Sequence, residues 1–157
     1  MFEIFFFVNP IGINCYQNEQ EIIAAVSGYK QNISYHFIPM TTMNTIRNDI
    51  RARHLSSSNV EIFNTFSQSA YNATKDYHTL KLIVGNKKAR QYIIKLQHAI
   101  NDMGKIYSSE LINEILSSLD VSIKSFKKNR ESNYIKLSMD KDLKLADDLN
   151  VVTTPTT

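Results

Sequence analysis

Near its start the chain reads Phe2-Glu3-Ile4-Phe5-Phe6-Phe7-Val8-Asn9-Pro10-Ile11-Gly12-Ile13-Asn14-Cys15. Residues 3–8 are almost all apolar, which is typical of a strand that is buried on both faces. The Asn9-Pro10 pair breaks this strand, and a helix is predicted to begin within residues 12–15. Cys15 is the only cysteine of the chain and lies at this strand-to-helix turn. Because the field at a helix N-terminus favours a thiolate, Cys15 is a candidate reactive group.

The spacing Gly12-x-x-Cys15 is that of a C-x-x-C redox motif in which glycine replaces the first cysteine. In a complete motif the first thiolate attacks a disulfide and the second thiol resolves the mixed intermediate. A chain with one thiol cannot close its own disulfide. Two interpretations stay open here: Cys15 is a small buried hydrophobic residue, or it is a redox sensor or monothiol that forms mixed disulfides.

The next elements complete a strand-helix-strand unit. Residues 16–28 place Ile22, Ile23 and Val26 on one helix face, and Gly28 is a suitable stop signal. Residues 33–38 alternate before Pro39 and predict a second strand. Two strands joined by a helix within about forty residues imply a parallel pair with a right-handed crossover.

After Pro39 the pattern is helical for roughly a hundred residues. Residues 56–59 offer an N-cap for one helix, and Asn86 to Met103 carry apolar residues at helical spacing. Ser108 starts a further helix, Asp120 is predicted to cap a fourth, and residues 140–149 complete the helical run. Residues 150–157 are β-prone and are interrupted by Pro155.

Composition narrows the class of protein. With 157 residues the chain is one domain, or one domain carrying an insertion. A net charge of +3 is too small to imply a nucleic-acid partner, and no apolar run suits a signal peptide or a membrane span. We therefore expect a cytoplasmic protein with a reduced thiol.

The four histidines show no metal-ligand spacing, so no metal site is predicted, and no cofactor is predicted either. The basic residues Lys124, Lys127, Lys128 and Arg130 are interpreted as a solvated helix face.

Taken in order, three parts of the sequence resemble the DsbA family of thioredoxin-fold proteins. Residues 7–15 are similar to the family's strand, Asp-Pro turn and C-x-x-C helix start. Residues 87–97 and 108–111 look like its inserted helical domain, and residues 145–156 resemble the helix and cis-proline loop. The resemblance implies an α/β, thioredoxin-like fold with an all-helical insertion. The expected divisions are a βαβ part at 1–40, a helical insertion at 41–138 and a return to the thioredoxin-like part at 139–157. Because the family continues into a β-hairpin and a last helix, the chain is expected to be truncated after the cis-proline loop.

The resemblance also assigns roles to residues of this chain. Gly12 takes the position of the attacking cysteine, and Cys15 takes the resolving position. The residue before the cis-proline offers its backbone to a bound peptide in this family, a role that falls to Thr154 ahead of Pro155. The peptide- or partner-binding residues expected on this basis are Gly12, Ile13, Asn14, Thr154 and Pro155, with Cys15 as the candidate catalytic group.

The missing nucleophile predicts a redox-inactive, protein-binding module. Among DsbA-like proteins, a cytoplasmic member resembles the YjbH or SpxH adaptor branch, whose members hand a Spx-type transcription factor to the ClpXP protease. The alternative is a monothiol oxidoreductase or a glutathione-dependent transferase that acts through Cys15. No nucleic-acid partner, membrane or bound cofactor is predicted.

Overall fold

The computed structural model describes residues 2–28 and 33–157, and its first part is a strand-helix-strand unit. Strand β1 is Phe2–Val8, helix α1 is Ile13–Gly28 and strand β2 is Ile33–Pro39. The two strands pair in parallel, with Phe6 opposite Phe37. The predicted parallel βαβ unit is therefore confirmed, and α1 begins at Ile13, within the predicted start at residues 12–15.

Six further helices follow β2 and account for most of the remaining chain. They are α2 Met43–Ala52, α3 Val60–Val84, α4 Asn86–Asn101, α5 Ser109–Ser118, α6 Ile123–Arg130 and α7 Asn133–Asp148. This confirms the helical character expected after Pro39. None of the helices within residues 2–28 and 33–157 combines the length and apolar character that a bilayer crossing requires.

Two predicted helix starts are confirmed by their caps. The side chain of Asn59 accepts hydrogen bonds from the first N–H groups of α3. The Ser108 hydroxyl does the same for Leu111 of α5. These caps satisfy N–H groups that have no partner inside the helix, which explains why both sites were visible in the sequence.

Other predicted boundaries are corrected. Ser122, not Asp120, caps α6, because its hydroxyl accepts from the Ser125 N–H, while Asp120 has a φ of 53° in the preceding turn. The last predicted helix begins at Asn133 instead of residue 140 and ends at Asp148. The expected domain boundary after residue 138 lies within this continuous helix.

Apolar residues form two clusters, one on each face of the sheet. Phe6, Val8 and Phe37 belong to the larger cluster, which contains Cys15 and the core of the helical part. Phe7 and Ile38 point to the other face and belong to a smaller cluster completed by residues of α7 and the segment after it. Cys15 therefore lies on the face of the sheet that packs against the helical part.

Arg130, one of the basic residues predicted to be solvated, contacts a buried polar cluster in the helical part. The Asp76 side chain is fully buried and accepts hydrogen bonds from the hydroxyls of Tyr92 and Tyr107. Arg130 donates from Nε to the same carboxylate at 2.6 Å. The basic run is therefore not a uniformly solvated face, since Arg130 ties α6 to α3.

Candidate functional site

The turn between β1 and α1 is shaped by Asn9. The Gly12 N–H donates to the Asn9 carbonyl at 2.9 Å, and the Ile11 N–H donates to the Asn9 Oδ1 at 3.2 Å. An asparagine side chain that bonds the backbone two residues on is a common way to close such a turn. Asn9 is itself buried, so its side chain holds the turn from the inside of the protein.

Helix α2 anchors the same turn from outside. Asp49 accepts the Ile13 N–H at its Oδ1, 2.9 Å away, and thus caps α1. Arg53 donates to Asp49 Oδ2 at 2.9 Å and to the Ile11 carbonyl at 2.6 Å. A carboxylate is favourable at a helix N-terminus, so this distant cap stabilises the start of α1 at Ile13.

Cys15 lies directly beneath this turn and is 2% exposed. The Asn9 N–H points at its Sγ at 3.2 Å. Burial raises the pKa of the Cys15 thiol to about 12, and the carboxylates of Glu19 and Asp49 act in the same direction. The Asn9 amide and the Thr154 side chain oppose this rise without cancelling it. At neutral pH the group is therefore a protonated thiol, opposite to the thiolate that the helix position alone suggested.

Glu19 stands one helical turn after Cys15 and is fully buried. Its Oε1 accepts a hydrogen bond from Gln97 Nε2 at 2.9 Å, and its Oε2 has no hydrogen-bond partner among the described residues. Burial raises the pKa of Glu19 to about 8. Near neutral pH this carboxyl is mostly protonated, because an ionised group would lose its hydration without full compensation.

The proline loop, residues 152–156, faces the Cys15 thiol. Its Thr154–Pro155 peptide bond is cis. Helix α2 holds the loop through Asn44, which donates to the Val152 carbonyl at 2.8 Å. After the proline, Thr156 pairs with Phe7 in an antiparallel bridge of two backbone hydrogen bonds, 2.8 and 3.1 Å long. Within the described residues the N–H and C=O of Thr154 have no partner, so this residue presents free backbone groups on a fixed loop.

The structure brings four of the six predicted site residues around one small cavity. Gly12, Asn14, Cys15 and Thr154 line a space of about 20 Å³, which is enough for roughly one water molecule. Ile13 is the first residue of α1 and Pro155 follows Thr154, but neither lines the cavity. Across residues 2–28 and 33–157 there is no cluster of three or more metal-ligating side chains.

Gly12 is packed tightly against its neighbours. A β-carbon added there would lie 3.0 Å from the Asn9 Cβ, 3.2 Å from the Asn9 carbonyl oxygen and 3.2 Å from the Cys15 Sγ. Such distances are short for atoms that are not bonded. The glycine therefore allows the turn to lie directly on the thiol.

Three polar residues of the site were not anticipated from the sequence. Glu19 lies on the helix face that also carries Ile22 and Ile23, and this spacing from Cys15 was a usable signal. Asp49 and Arg53 form an i,i+4 pair, but nothing local shows that the pair reaches the turn at residues 11–13.

The fold and the site define a protein of the thioredoxin-like class. The features that define it are the βαβ unit, the helical part, and a proline loop that faces a thiol at a helix start. The family model described as Thioredoxin matches residues 5–157. This is nearly the whole chain, so the chain belongs to that family. Comparison with curated protein sequences gives no match.

Solved structures agree on the fold and add the DsbA-like arrangement. A structure described as a "putative protein disulfide isomerase" from Nitrosomonas europaea matches at 11% identity with a TM-score of 0.70, covering 98% of this chain and 81% of that one. Pseudomonas aeruginosa DsbA matches at 18% identity with a TM-score of 0.61, covering 98% and 67%. A variant of that DsbA matches at 17% identity with a TM-score of 0.64, covering 98% and 69%. The fold is thus thioredoxin-like with DsbA-like neighbours, and a mostly helical composition fits a helical insertion.

Proposed function

We propose that this chain is a redox-inactive, DsbA-like module that binds a protein partner. The observation that carries the proposal is the state of Cys15, a buried thiol with a pKa raised to about 12 and no second cysteine beside it. A thiol exchange enzyme needs an accessible thiolate. The Cys15 environment stabilises the opposite form.

The surface around Thr154 is suited to an extended peptide. Its unpaired backbone N–H and C=O can add a strand by hydrogen bonding, as at an exposed sheet edge. The loop is held by Asn44 and by the Thr156–Phe7 bridge, so little ordering is needed when a peptide binds. We call residues 12–14 together with Thr154 and Pro155 the peptide groove.

The particular role we propose is that of a cytoplasmic adaptor that delivers a Spx-type transcription factor to the ClpXP protease. Its support is the resemblance of the chain to the YjbH or SpxH branch, together with the loss of the attacking cysteine. An adaptor needs a binding surface and no chemistry, which suits a protonated Cys15.

A monothiol oxidoreductase or glutathione-dependent transferase is the second candidate. Two observations favour it. The Asn9 amide and the Thr154 side chain both stabilise a Cys15 thiolate, and the structural neighbours bear the names of redox proteins. A Cys15→Ser variant separates the two candidates. It keeps the function of an adaptor and abolishes that of a thiol enzyme.

The direct test is capture of a purified Spx-type protein by the full chain, with Asn14→Arg as the disrupting variant. Asn14 is exposed and lines the cavity at Thr154, whereas Gln17 is exposed on the same helix outside it. We expect Asn14→Arg to weaken binding at least about tenfold and Gln17→Arg to leave it unchanged. No binding by the unaltered chain would reject the adaptor role, and equal binding by both variants would reject the peptide groove.

A further inference from the structure

A second cavity, of about 420 Å³, lies between β2, α3, the start of α4 and α7. It shares no lining residue with the small cavity at Cys15. Its volume is within the range of sites that hold small organic ligands. Three cationic and four ring-bearing residues contribute to its lining, namely Lys81, Arg90, Lys141, Phe5, His36, Phe37 and Tyr77.

The charge of this cavity is strongly one-sided. Within the described residues, Lys81, Arg90 and Lys141 form no salt bridge with a carboxylate. The one carboxylate in the lining is Asp142, whose Oδ2 lies 3.3 Å from the Nε2 of the buried His78. Cations around a concave, low-dielectric surface focus a positive potential and attract an anion.

The most geometrically defined of the three cations is Arg90. Its guanidinium carbon lies 4.7 Å from the centroid of the Tyr35 ring, in a cation–π arrangement. This contact fixes the orientation of a group that binds phosphate or carboxylate oxygens through two parallel hydrogen bonds. Less conformational freedom then remains to be lost when an anion binds.

Rings provide an apolar wall beside the cations. Phe5 and His36 stack with centroids 5.2 Å apart and an interplanar angle of 21°. The Tyr77 hydroxyl donates to the Phe37 carbonyl at 3.0 Å, so this residue offers its ring and not a free hydroxyl. A flat apolar body can pack on such a surface.

A hydroxyl completes the polar part of the lining. Ser138 contributes to the cavity and lies with its Oγ 2.7 Å from the Nδ1 of His78. Because the Asp142 carboxylate favours a hydrogen on Nε2 of His78, Nδ1 accepts a bond from Ser138, and the Ser138 oxygen offers the cavity only an acceptor.

We propose that this cavity binds a small phosphate monoester whose phosphate is attached to a flat ring. A phosphate carries a charge of about −1.5 to −2 near neutral pH, so it suits three cations better than a single carboxylate does. The ring packs against Phe5 and His36, while Arg90, Lys81 and Lys141 hold the phosphate. The site is separate from the peptide groove and does not depend on the function proposed for it.

Phenyl phosphate is the simplest probe, and calorimetric titration of the full chain is the measurement. We expect phenyl phosphate to bind at least about tenfold more tightly than either inorganic phosphate or phenol, since only phenyl phosphate uses both parts of the cavity. Equal affinity for phenyl phosphate and inorganic phosphate, or no binding of phenyl phosphate at millimolar concentration, would overturn the proposal.

A pair of variants on one helix assigns the binding to this cavity. Lys141→Gln removes a lining cation, whereas Lys136→Gln removes an exposed cation of α7 that does not line the cavity. Both residues are exposed, so both variants are expected to fold, and circular dichroism checks this. We expect Lys141→Gln to weaken phenyl phosphate binding about fivefold to tenfold and Lys136→Gln to change it less than twofold. Equal effects of the two variants would overturn the proposal.

Discussion

A β-carbon at Gly12 would lie 3.2 Å from the sulfur of Cys15. Across a disulfide, the β-carbon of one cysteine lies about 3.0 Å from the sulfur of the other, given an S–S bond of about 2.05 Å. The distance between Gly12 and the Cys15 sulfur therefore matches that of a closed C-x-x-C motif, although glycine takes the place of one cysteine. The turn thus keeps the spacing of a dithiol motif in a chain that has one cysteine.

Gly12→Cys is expected to form an intramolecular disulfide with Cys15. Once the disulfide forms, the short distance from the new β-carbon to the Cys15 sulfur is normal. The contacts with Asn9 require small shifts. In a glutathione redox buffer, the oxidised variant should lose two hydrogens by mass spectrometry and show no free thiol. Gly12→Ser, which adds a similar volume without a second thiol, is the control. Two free thiols in the oxidised Gly12→Cys protein would contradict this geometry.

Gly12→Ala should destabilise the protein by about 1–3 kcal/mol, because the new methyl group overpacks the turn. It meets the Asn9 Cβ at 3.0 Å, and Asn9 is buried and cannot move aside freely. Gly28→Ala is the matched control, since a β-carbon there meets no atom of the described residues within 4 Å. Urea denaturation measures both. A cost at Gly12 no larger than at Gly28 would show that the turn at Gly12 can accommodate a methyl group.

Stability should depend on pH through Glu19. This carboxyl ionises near pH 4.5 in the unfolded chain but only near pH 8 when folded. Between these values the unfolded state binds fewer protons, so the free energy of unfolding falls as the pH rises from 4.5 to 8.

Glu19→Gln should remove that part of the pH dependence, which we expect to be about 2–4 kcal/mol over this range. Urea denaturation at several pH values measures the difference between the variant and the unaltered chain. Glu21→Gln, at an exposed position of the same helix, should keep the original slope. An unchanged slope in Glu19→Gln would show that Glu19 is ionised in the fold.

Arg53→Ala should cost about 3–5 kcal/mol, as expected when one partner of a buried ion pair is removed. Arg53 and Asp49 have side chains that are 13% and 6% exposed, and Arg53 also donates to the Ile11 carbonyl. Arg51→Ala on the exposed side of α2 is the control and should change stability by less than about 1 kcal/mol. Similar costs for the two variants would mean that Arg53 does not anchor the turn.

The sequence was sufficient for the βαβ unit and the helical character, because both depend on local periodicity and caps. The resemblance to the DsbA family also pointed to Gly12, Cys15 and Thr154, which the structure brings around one cavity. The sequence missed the cap of α1, since this cap comes from Asp49, which lies far away in sequence. For the same reason the direction of the Cys15 pKa could not be predicted, because burial and the Glu19 and Asp49 carboxylates outweigh the helix terminus.

The rate at which Cys15 reacts with iodoacetamide tests the central claim most directly. A protonated, buried thiol should be alkylated at least about 100-fold more slowly in the folded chain at pH 7 than in the chain unfolded by urea. The rate should also keep rising with pH up to at least pH 9. A folded chain that reacts at pH 6 as fast as the unfolded chain or faster would contradict this, because Cys15 would then be a thiolate and the redox-inactive function would be wrong.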